Sequence, residues 1–348
     1  MRIARLRKHA IVALAAAIGF LPVALADAGR EGAAGSSPQT LAVIGDIPYG
    51  DAQIAAFGAE IGEINADPDI DRAIHLGDIK NGSSRCDDAY FRARLADFET
   101  FDDPLVYTPG DNEWTDCHRA SNGAYVPTER LAKLRALFFA KPGHTLGGHD
   151  IVRPQSRAYP ENVLWAQDRV QYGLVHVVGS NDGQAPWFGD RKDPQTGAAL
   201  PETRAETAER TREYVAREAA AVEWIDAIFD AAEKRGAAAV VLGMQADMWD
   251  GPAAGQTAFV PMKAVIADRA ARFGKPVLLL QGDSHVLIVD RPAGMPANLT
   301  RVVVQGSTSV PHEWLRLTVD PAKPGVFSCE NVVFGSGATT PCPAPLAP

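Results

Sequence analysis

The sequence predicts an α/β fold, because short apolar strands alternate with helical segments along the first third of the chain. That alternation is typical of a parallel sheet with crossover helices. Four of the apolar runs end in a Gly-Asp turn, at Asp46, Asp78, Asp111 and Asp283. Ligands bind at the carboxyl ends of the strands in open α/β sheets, so these turns predict a shared site.

The first half of the chain supplies three strand–helix units. Strands are predicted at 41–44, 73–76 and 105–108, and the helices that follow them at 53–66, 88–101 and 128–139. From 140 to 169 Gly, His, Pro and Arg interrupt the pattern, which predicts a long loop over the sheet edge.

The second half continues the pattern and then becomes rich in strands. Strands are predicted at 174–178, 238–242, 277–280, 286–289, 301–304 and 315–319, and helices at 204–234 and 262–273. On the long helix we expect one buried stripe, formed by Val215, Ala219, Val222, Ile225 and Phe229. The Pro-rich segment 321–348 is predicted to be a C-terminal tail closed by a disulfide.

The N-terminus has the pattern of a secretory signal peptide. A basic start precedes a short apolar run and the small residues Ala24-Leu25-Ala26, which predicts cleavage after Ala26 and a flexible leader at 27–40. A retained membrane anchor is the alternative, which the short run and the Ala-x-Ala site disfavour. We therefore expect a periplasmic or secreted protein without a stable membrane span.

The charge balance restricts the partners. Removing four positive charges with residues 1–26 takes the formal charge from −9 to −13. So acidic a protein is a poor nucleic-acid binder, and it repels phosphate unless cations reverse the local field.

Four cysteines in an exported chain predict two disulfides, for which three pairings exist. Cys86 and Cys117 each follow a Gly-Asp turn at the same sheet edge, which favours their pairing. Cys329 and Cys342 then close a C-terminal loop. The alternative of a cysteine metal site lacks a Cys-x-x-Cys spacing.

The four strand-end carboxylates predict a metal centre. Brought together, they repel one another strongly unless cations neutralise them. A purely structural role in turns is the alternative, since two further Gly-Asp pairs, at Asp51 and Asp190, follow no apolar run and are interpreted as loops.

The order of these motifs resembles the calcineurin-like metallophosphoesterases. The resemblance covers roughly residues 41 to 320, and its motifs are Gly45-Asp46, Gly77-Asp78, Gly110-Asp111-Asn112-Glu113, Gln245 and Gly282-Asp283-Ser284-His285. It implies one domain with a two-sheet sandwich flanked by helices, in α/β/β/α layers.

The resemblance also implies a two-metal site. In it, Asp46 and His285 hold the first ion, and Asp78 bridges both. The second ion would be held by Asp111, Gln245 and Asp283. This arrangement implies hydrolysis of a small phosphate ester by water activated on the metal pair.

The motifs depart from the family at several positions. Pro48 stands where a ligand histidine is frequent, and oxygen donors at Asp111, Gln245 and Asp283 replace nitrogen or amide ligands. Oxygen-rich sites favour Mg²⁺, Mn²⁺ or Ca²⁺ over Zn²⁺, and iron remains an option. Tyr49 is expected to pack beside the site, with a ligand role as the alternative.

Catalytic and substrate-binding candidates follow from the same comparison. Asn112 replaces the histidine that helps to protonate the leaving group, and His118 is a candidate substitute, or else a solvated loop histidine. Arg119 is a candidate for gripping a phosphate oxygen. Asn181 is expected to line the pocket, unless it only forms a turn.

The function predicted from the sequence is an exported, metal-dependent phosphoesterase in which Asp78 holds both ions. The alternative is a catalytically silent metal- or ligand-binding protein on the same fold, because family histidines are replaced. A third possibility is a hydrolase with a single metal, because Pro48 weakens the first position.

Overall fold

Two seven-stranded sheets form the centre of the protein in a computed structural model, which describes residues 38–343. The predicted signal peptide and most of the predicted leader lie outside the described residues. The face between the sheets is apolar and is filled by side chains of both, such as Leu41 and Ile74 from one and Val241 and Leu280 from the other. The predicted two-sheet sandwich is confirmed.

The first sheet has the order β14-β13-β12-β1-β2-β3-β4. Strands β1, β2 and β3 run parallel, whereas β12 pairs with β1 in the antiparallel sense. The strands are β1 (Gln39–Ile44), β2 (Ile70–His75), β3 (Pro104–Tyr107), β4 (Leu146–Gly147), β12 (Glu313–Val319), β13 (Phe327–Val333) and β14 (Thr339–Pro341).

The second sheet has the order β10-β11-β9-β8-β7-β6-β5. Its four central strands, β11, β9, β8 and β7, run parallel. The strands are β5 (Arg153–Pro154), β6 (Val163–Gln167), β7 (Val170–Leu174), β8 (Ala239–Gly243), β9 (Val277–Gln281), β10 (Ile288–Asp290) and β11 (Leu299–Val303).

Helices cover the outer face of each sheet. The first sheet packs against α1 (Gly50–Asn65), α2 (Asp88–Phe98) and α3 (Pro127–Phe138), and the second against α4 (Arg204–Lys234) and α5 (Val260–Phe273). Helix α4 begins with a capping box, in which Thr203 and Glu206 satisfy each other's backbone N–H groups. The layers are therefore helices, sheet, sheet, helices.

The prediction of a loop from 140 to 169 is wrong in part, because β4, β5 and β6 all lie in this range. Strand β6 lies there and forms a hairpin with β7, across a turn in which Asp168 and Arg169 both have positive φ. Two such residues make the tight turn that matches strand twist. Asp168 is a favoured first residue of such a turn, but Arg169 stands where Gly usually marks it in a sequence.

The buried stripe predicted for α4 is partly wrong. Ile225 and Phe229 are buried, but Val215 is 53% exposed and Ala219 is exposed. The helix is rotated so that Arg217 is buried instead, because that guanidinium pairs with Asp182. Because the buried position is an arginine, hydrophobic periodicity does not predict the buried face of this helix correctly.

The C-terminal segment belongs to the first sheet. The range expected to be a tail contains β13 and β14, which add two antiparallel strands beyond β12. The disulfide Cys329–Cys342 joins this hairpin, and Cys86–Cys117 joins two loops of the site, so both predicted pairings are confirmed. Between residues 38 and 343, no helix has the length and apolar character needed to cross a membrane.

Candidate metal centre

Four carboxylates converge where β1, β2, β3 and β9 end. Asp46, Asp78 and Asp283 have φ of 56°, 56° and 74°, in the left-handed region that side chains other than Gly, Asn and Asp rarely adopt. The Gly-Asp turns therefore use aspartate where its short side chain tolerates this backbone. Residues with such unusual backbone conformations often lie together at functional sites.

Glycine is required beside these acids because their carboxylates lie against the neighbouring backbone. A Cβ on Gly110 would lie 2.1 Å from Oδ1 of Asp78, and one on Gly282 would lie 2.6 Å from Oδ2 of Asp46. No side chain fits at either position. The Gly-Asp pairs thus combine a tight turn with close packing of the turns on one another.

Two groups of residues offer ligand atoms to a metal ion. Asp46, Asp78 and His285 form one, and Asp78, Asp111 and Asp283 form the other. Within each group the ligand atoms all lie within 4.8 Å of one another. Asp78 belongs to both, so the structure brings together five of the six metal ligands predicted from the sequence, with Asp78 between the others.

The electrostatics of the acids fit a bound cation. Burial and the charge of neighbouring carboxylates raise the pKa of Asp78 and Asp283 well above the usual range, and burial raises the pKa of Asp46 as well. Keeping these groups ionised without a counter-ion is unfavourable. The donor set, carboxylate oxygens with one imidazole, suits divalent ions such as Mg²⁺ or Mn²⁺.

His285 faces Asp46 at the edge of the site. Its Nε2 lies 3.4 Å from Oδ1 of Asp46, and its Nδ1 lies 2.7 Å from the Thr308 hydroxyl. Burial acts to lower the pKa of His285, but the hydrogen bond and charge of Asp46 outweigh it and raise the pKa. Thr308, which holds the ring in place, carries no signal in the sequence.

Asp78 is held by two hydrogen bonds from Asn112. The backbone N–H of Asn112 donates to its Oδ1 at 3.0 Å, and the Asn112 side-chain amide donates to Oδ2 at 2.6 Å. The same amide nitrogen lies 3.0 Å from the Tyr49 hydroxyl. Asn112 therefore orients the shared carboxylate. Its predicted role towards substrate stays a prediction.

Glu113 and Lys80 hold the backbone of the site turns through buried hydrogen bonds. Oε1 of Glu113 accepts hydrogen bonds from the backbone N–H groups of Asp78 and Gly110 and from the Tyr107 hydroxyl. Lys80, fully buried, donates to the Asn112 carbonyl at 2.7 Å. Burial lowers the pKa of Lys80 to about 8, against the opposing pull of nearby acids.

Gln245 reaches the site with its nitrogen rather than its oxygen. Its Oε1 accepts from the backbone N–H of Gly179 at 2.6 Å, which leaves Nε2 to donate to Oδ1 of Asp111 at 3.2 Å. The backbone donor fixes this orientation of the amide. A ligand role for Gln245 would require the amide to rotate and abandon Gly179, and it stays a prediction.

His118 and Arg119 are engaged elsewhere. Nδ1 of His118 accepts from the backbone N–H of Phe188 at 2.9 Å, and burial lowers the pKa of His118 to about 4. Such a ring is neutral at pH 7, which argues against the acid role. Arg119 is 39% exposed and pairs with Asp116 at 2.6 Å. Both assignments remain predictions.

Asn181 lies in a turn next to the site, where its Oδ1 accepts from the backbone N–H of Ala258. Its neighbour Ser180, which the sequence analysis did not single out, donates to Oδ2 of Asp111 at 2.7 Å. A serine one residue from the expected position leaves no periodic signal, so only the fold identifies it.

Comparisons with known proteins do not assign the chain to a family. No protein-family profile matches it, and no curated protein is significantly similar in sequence. One solved structure, described as "GAP50 the anchor in the inner membrane complex of Plasmodium", superposes with a TM-score of 0.46 at 8% identity, covering 88% of each chain. Similarity at that level carries no functional argument, so what this chain does has to be argued from its own site.

Proposed function

We propose that this protein is an exported, metal-dependent phosphoesterase of the calcineurin-like metallophosphoesterase superfamily. The observation that carries the proposal is the sharing of Asp78 between two groups of ligand atoms. A carboxylate that belongs to both groups would let one side chain serve two neighbouring divalent ions, the arrangement that clamps a phosphoryl group. When bound, such ions supply Lewis acidity to a phosphoryl group and lower the pKa of coordinated water.

The residues of the chain would divide the work as follows. Asp46 and His285 would hold one ion, Asp111 and Asp283 would hold the other, and Asp78 would contact both. Asn112 keeps the Asp78 carboxylate in place through two hydrogen bonds. Glu113 keeps the 78 and 110 turns together through their backbone N–H groups.

The two disulfides support export as part of the proposal. Disulfides persist in oxidising compartments such as the periplasm or the extracellular space. The basic, apolar start of the chain with its Ala24-Leu25-Ala26 site is consistent with that route.

The test is metal content together with hydrolysis. Chelator-treated protein is reconstituted separately with Mg²⁺, Mn²⁺, Ca²⁺ and Zn²⁺, and bound metal and hydrolysis of aryl phosphate mono- and diesters are measured. We expect two ions per chain and activity that the chelator abolishes. Asp78→Asn should lose at least one ion and all activity. The control is Asp150→Asn, which alters a carboxylate paired with Arg72 and should retain full metal content and activity.

The main alternative is a silent metal-binding protein on the same fold. The observation that favours it is the environment of His118, whose pKa is lowered to about 4, so that the ring is neutral at pH 7 and holds no proton for a leaving group. Two bound ions without hydrolysis of any ester would establish this alternative. One bound ion with hydrolysis would instead establish a single-metal enzyme.

A further inference from the structure

In the turn 179–183, which follows β7, four successive residues have a left-handed backbone conformation. Ser180, Asn181, Asp182 and Gly183 have φ of 54°, 53°, 55° and 73°. Three successive residues other than glycine in the left-handed region are unusual, because each costs conformational energy. Such a turn persists only when the surrounding structure over-determines it.

A buried ion pair locks this turn. Asp182 and Arg217 are both fully buried, and the Arg217 guanidinium bonds the Asp182 carboxylate and, at 2.7 Å, the Asp182 carbonyl. The same carboxylate accepts the backbone N–H of Val178 at 3.1 Å. Removing Arg217 would leave the Asp182 carboxylate buried without its cation, so the pair holds the turn firmly.

The locked turn reaches Asp111 in two ways. Ser180 donates its hydroxyl to Oδ2 of Asp111 at 2.7 Å. The backbone N–H of Gly179 holds Oε1 of Gln245, so that Nε2 of Gln245 donates to the other oxygen, Oδ1. Both oxygens of this carboxylate are therefore oriented by the same turn.

Gly179 brings the turn into contact with the second group of ligands. A Cβ there would lie 2.7 Å and 2.8 Å from the two carboxylate oxygens of Asp283, and 3.0 Å from Cγ of Asp111. Through its bond to Asp111, the Ser180 hydroxyl contacts a ligand group whose members, Asp78, Asp111 and Asp283, are all carboxylates.

Resting on the proposed function, we propose that Ser180 is a positioning residue for one of the two ions. Its hydroxyl orients Asp111 within a donor set of carboxylates. The class of cofactor that this set takes is a hard divalent cation, Mg²⁺ or Mn²⁺. The Asp182–Arg217 pair acts at a distance, by keeping the turn in its left-handed form.

Two variants that delete the hydroxyl test the proposal. Ser180→Ala keeps a side chain in the strained backbone, and Ser180→Gly relieves the strain. Titration calorimetry of chelator-treated protein with Mn²⁺ should show both variants binding one ion about 10–100-fold more weakly, the usual effect of losing a group that orients a ligand. Affinity for the other ion should stay within a few-fold of wild type.

A matched pair of arginine variants tests the lock. Arg217→Met should lower the affinity for the same ion, although Arg217 is not a ligand. Arg269→Met is the control, because that arginine also pairs with acids of α4 but contacts none of the metal-ligand candidates. It should leave both affinities unchanged. If Arg217→Met does not fold, the serine variants alone decide.

The proposal is overturned if both serine variants bind Mn²⁺ as wild type does, or if only one of them is weakened, which would trace the effect to the backbone. A wild-type chain that binds no divalent ion also overturns it. Since the readout is binding, weakened ion binding in a chain that hydrolyses no ester would refute the proposed function and support this inference.

Discussion

The hydroxyl of Tyr49 lies 3.2 Å from Oδ2 of Asp78, the carboxylate shared by the two ligand groups. Burial and the charge of Asp78 raise the pKa of Tyr49 well above 10, so the phenol stays protonated and donates this hydrogen bond. Nε2 of His285 lies 3.5 Å from the same hydroxyl. Tyr49 is therefore in contact with residues of the first ligand group, as its expected place beside the site requires.

Tyr49→Phe should weaken metal binding without unfolding the protein. It removes the donor to Asp78 and the acceptor for Asn112, and loss of such an orienting contact typically costs 10–100-fold in affinity. The control is Tyr90→Phe, which removes a hydroxyl bonded only to the Ile79 carbonyl. Equal metal affinity in the two variants, measured by calorimetry, would contradict this role.

His118→Ala should reduce stability rather than select among leaving groups. It leaves the Phe188 N–H without a partner, at a cost of about 1–3 kcal/mol in unfolding free energy. Because the pKa of His118 is lowered to about 4, we expect the ratio of rates on aryl and alkyl phosphates to stay at its wild-type value. A loss confined to alkyl phosphates would instead reinstate His118 as the acid.

Gln245→Glu should make stability depend on metal. The new carboxylate would lie beside Asp111, where like charges disfavour folding, and a divalent ion would relieve the repulsion. The thermal midpoint should fall in chelator and recover with Mn²⁺. Gln171→Glu is the control, since that buried glutamine bonds only the Trp165 and Tyr172 carbonyls and should be destabilised in both conditions.

Removing the Cys86–Cys117 disulfide should cost both stability and metal affinity. Replacing both cysteines by serine frees two loops that carry site residues, and a bridge of this kind typically contributes about 2–4 kcal/mol. The same change at Cys329 and Cys342, on a half-buried hairpin at the edge of the first sheet, should spare metal affinity. Comparable metal affinities after the two replacements would show that the first bridge does not position the site.

The buried Glu161 should make the protein acid-sensitive. Burial alone would raise its pKa, but the hydrogen bond from His176 and the charge of Arg135 lower it from 4.5 to about 2. As pH falls from 4.5 towards 2, the unfolded chain binds this proton before the folded one does. Stability present above pH 4.5 is therefore lost, by on the order of 3 kcal/mol.

Glu161→Gln should reduce the loss of stability as pH falls. Denaturation midpoints compared between pH 6 and pH 3 should fall less in the variant than in the wild type, although the variant starts lower. An unchanged slope would mean that Glu161 is protonated equally in both states.

Elements with local signals could be predicted before the fold was known. Helix α4 lies at 204–234 as predicted, because a capping box and Gly236 mark its two ends. The strand-end aspartates were recognisable because a Gly-Asp turn after an apolar run is a short, contiguous pattern. The disulfide pairs followed from which turns share a sheet edge, a consequence of parallel strands.

The atoms that meet at the site come from segments far apart in the chain, so the sequence did not predict their contacts. Ser180 and Asp111 are 69 residues apart, and Gln245 turns its nitrogen to Asp111 because Gly179, 66 residues away, occupies its oxygen. Arg217 rotates α4 because its partner Asp182 is buried under it. Periodicity and motifs predict structure that depends on residues close together along the chain. Hydrogen-bond competition between distant segments is settled only when the sheets close and each buried donor must find its acceptor.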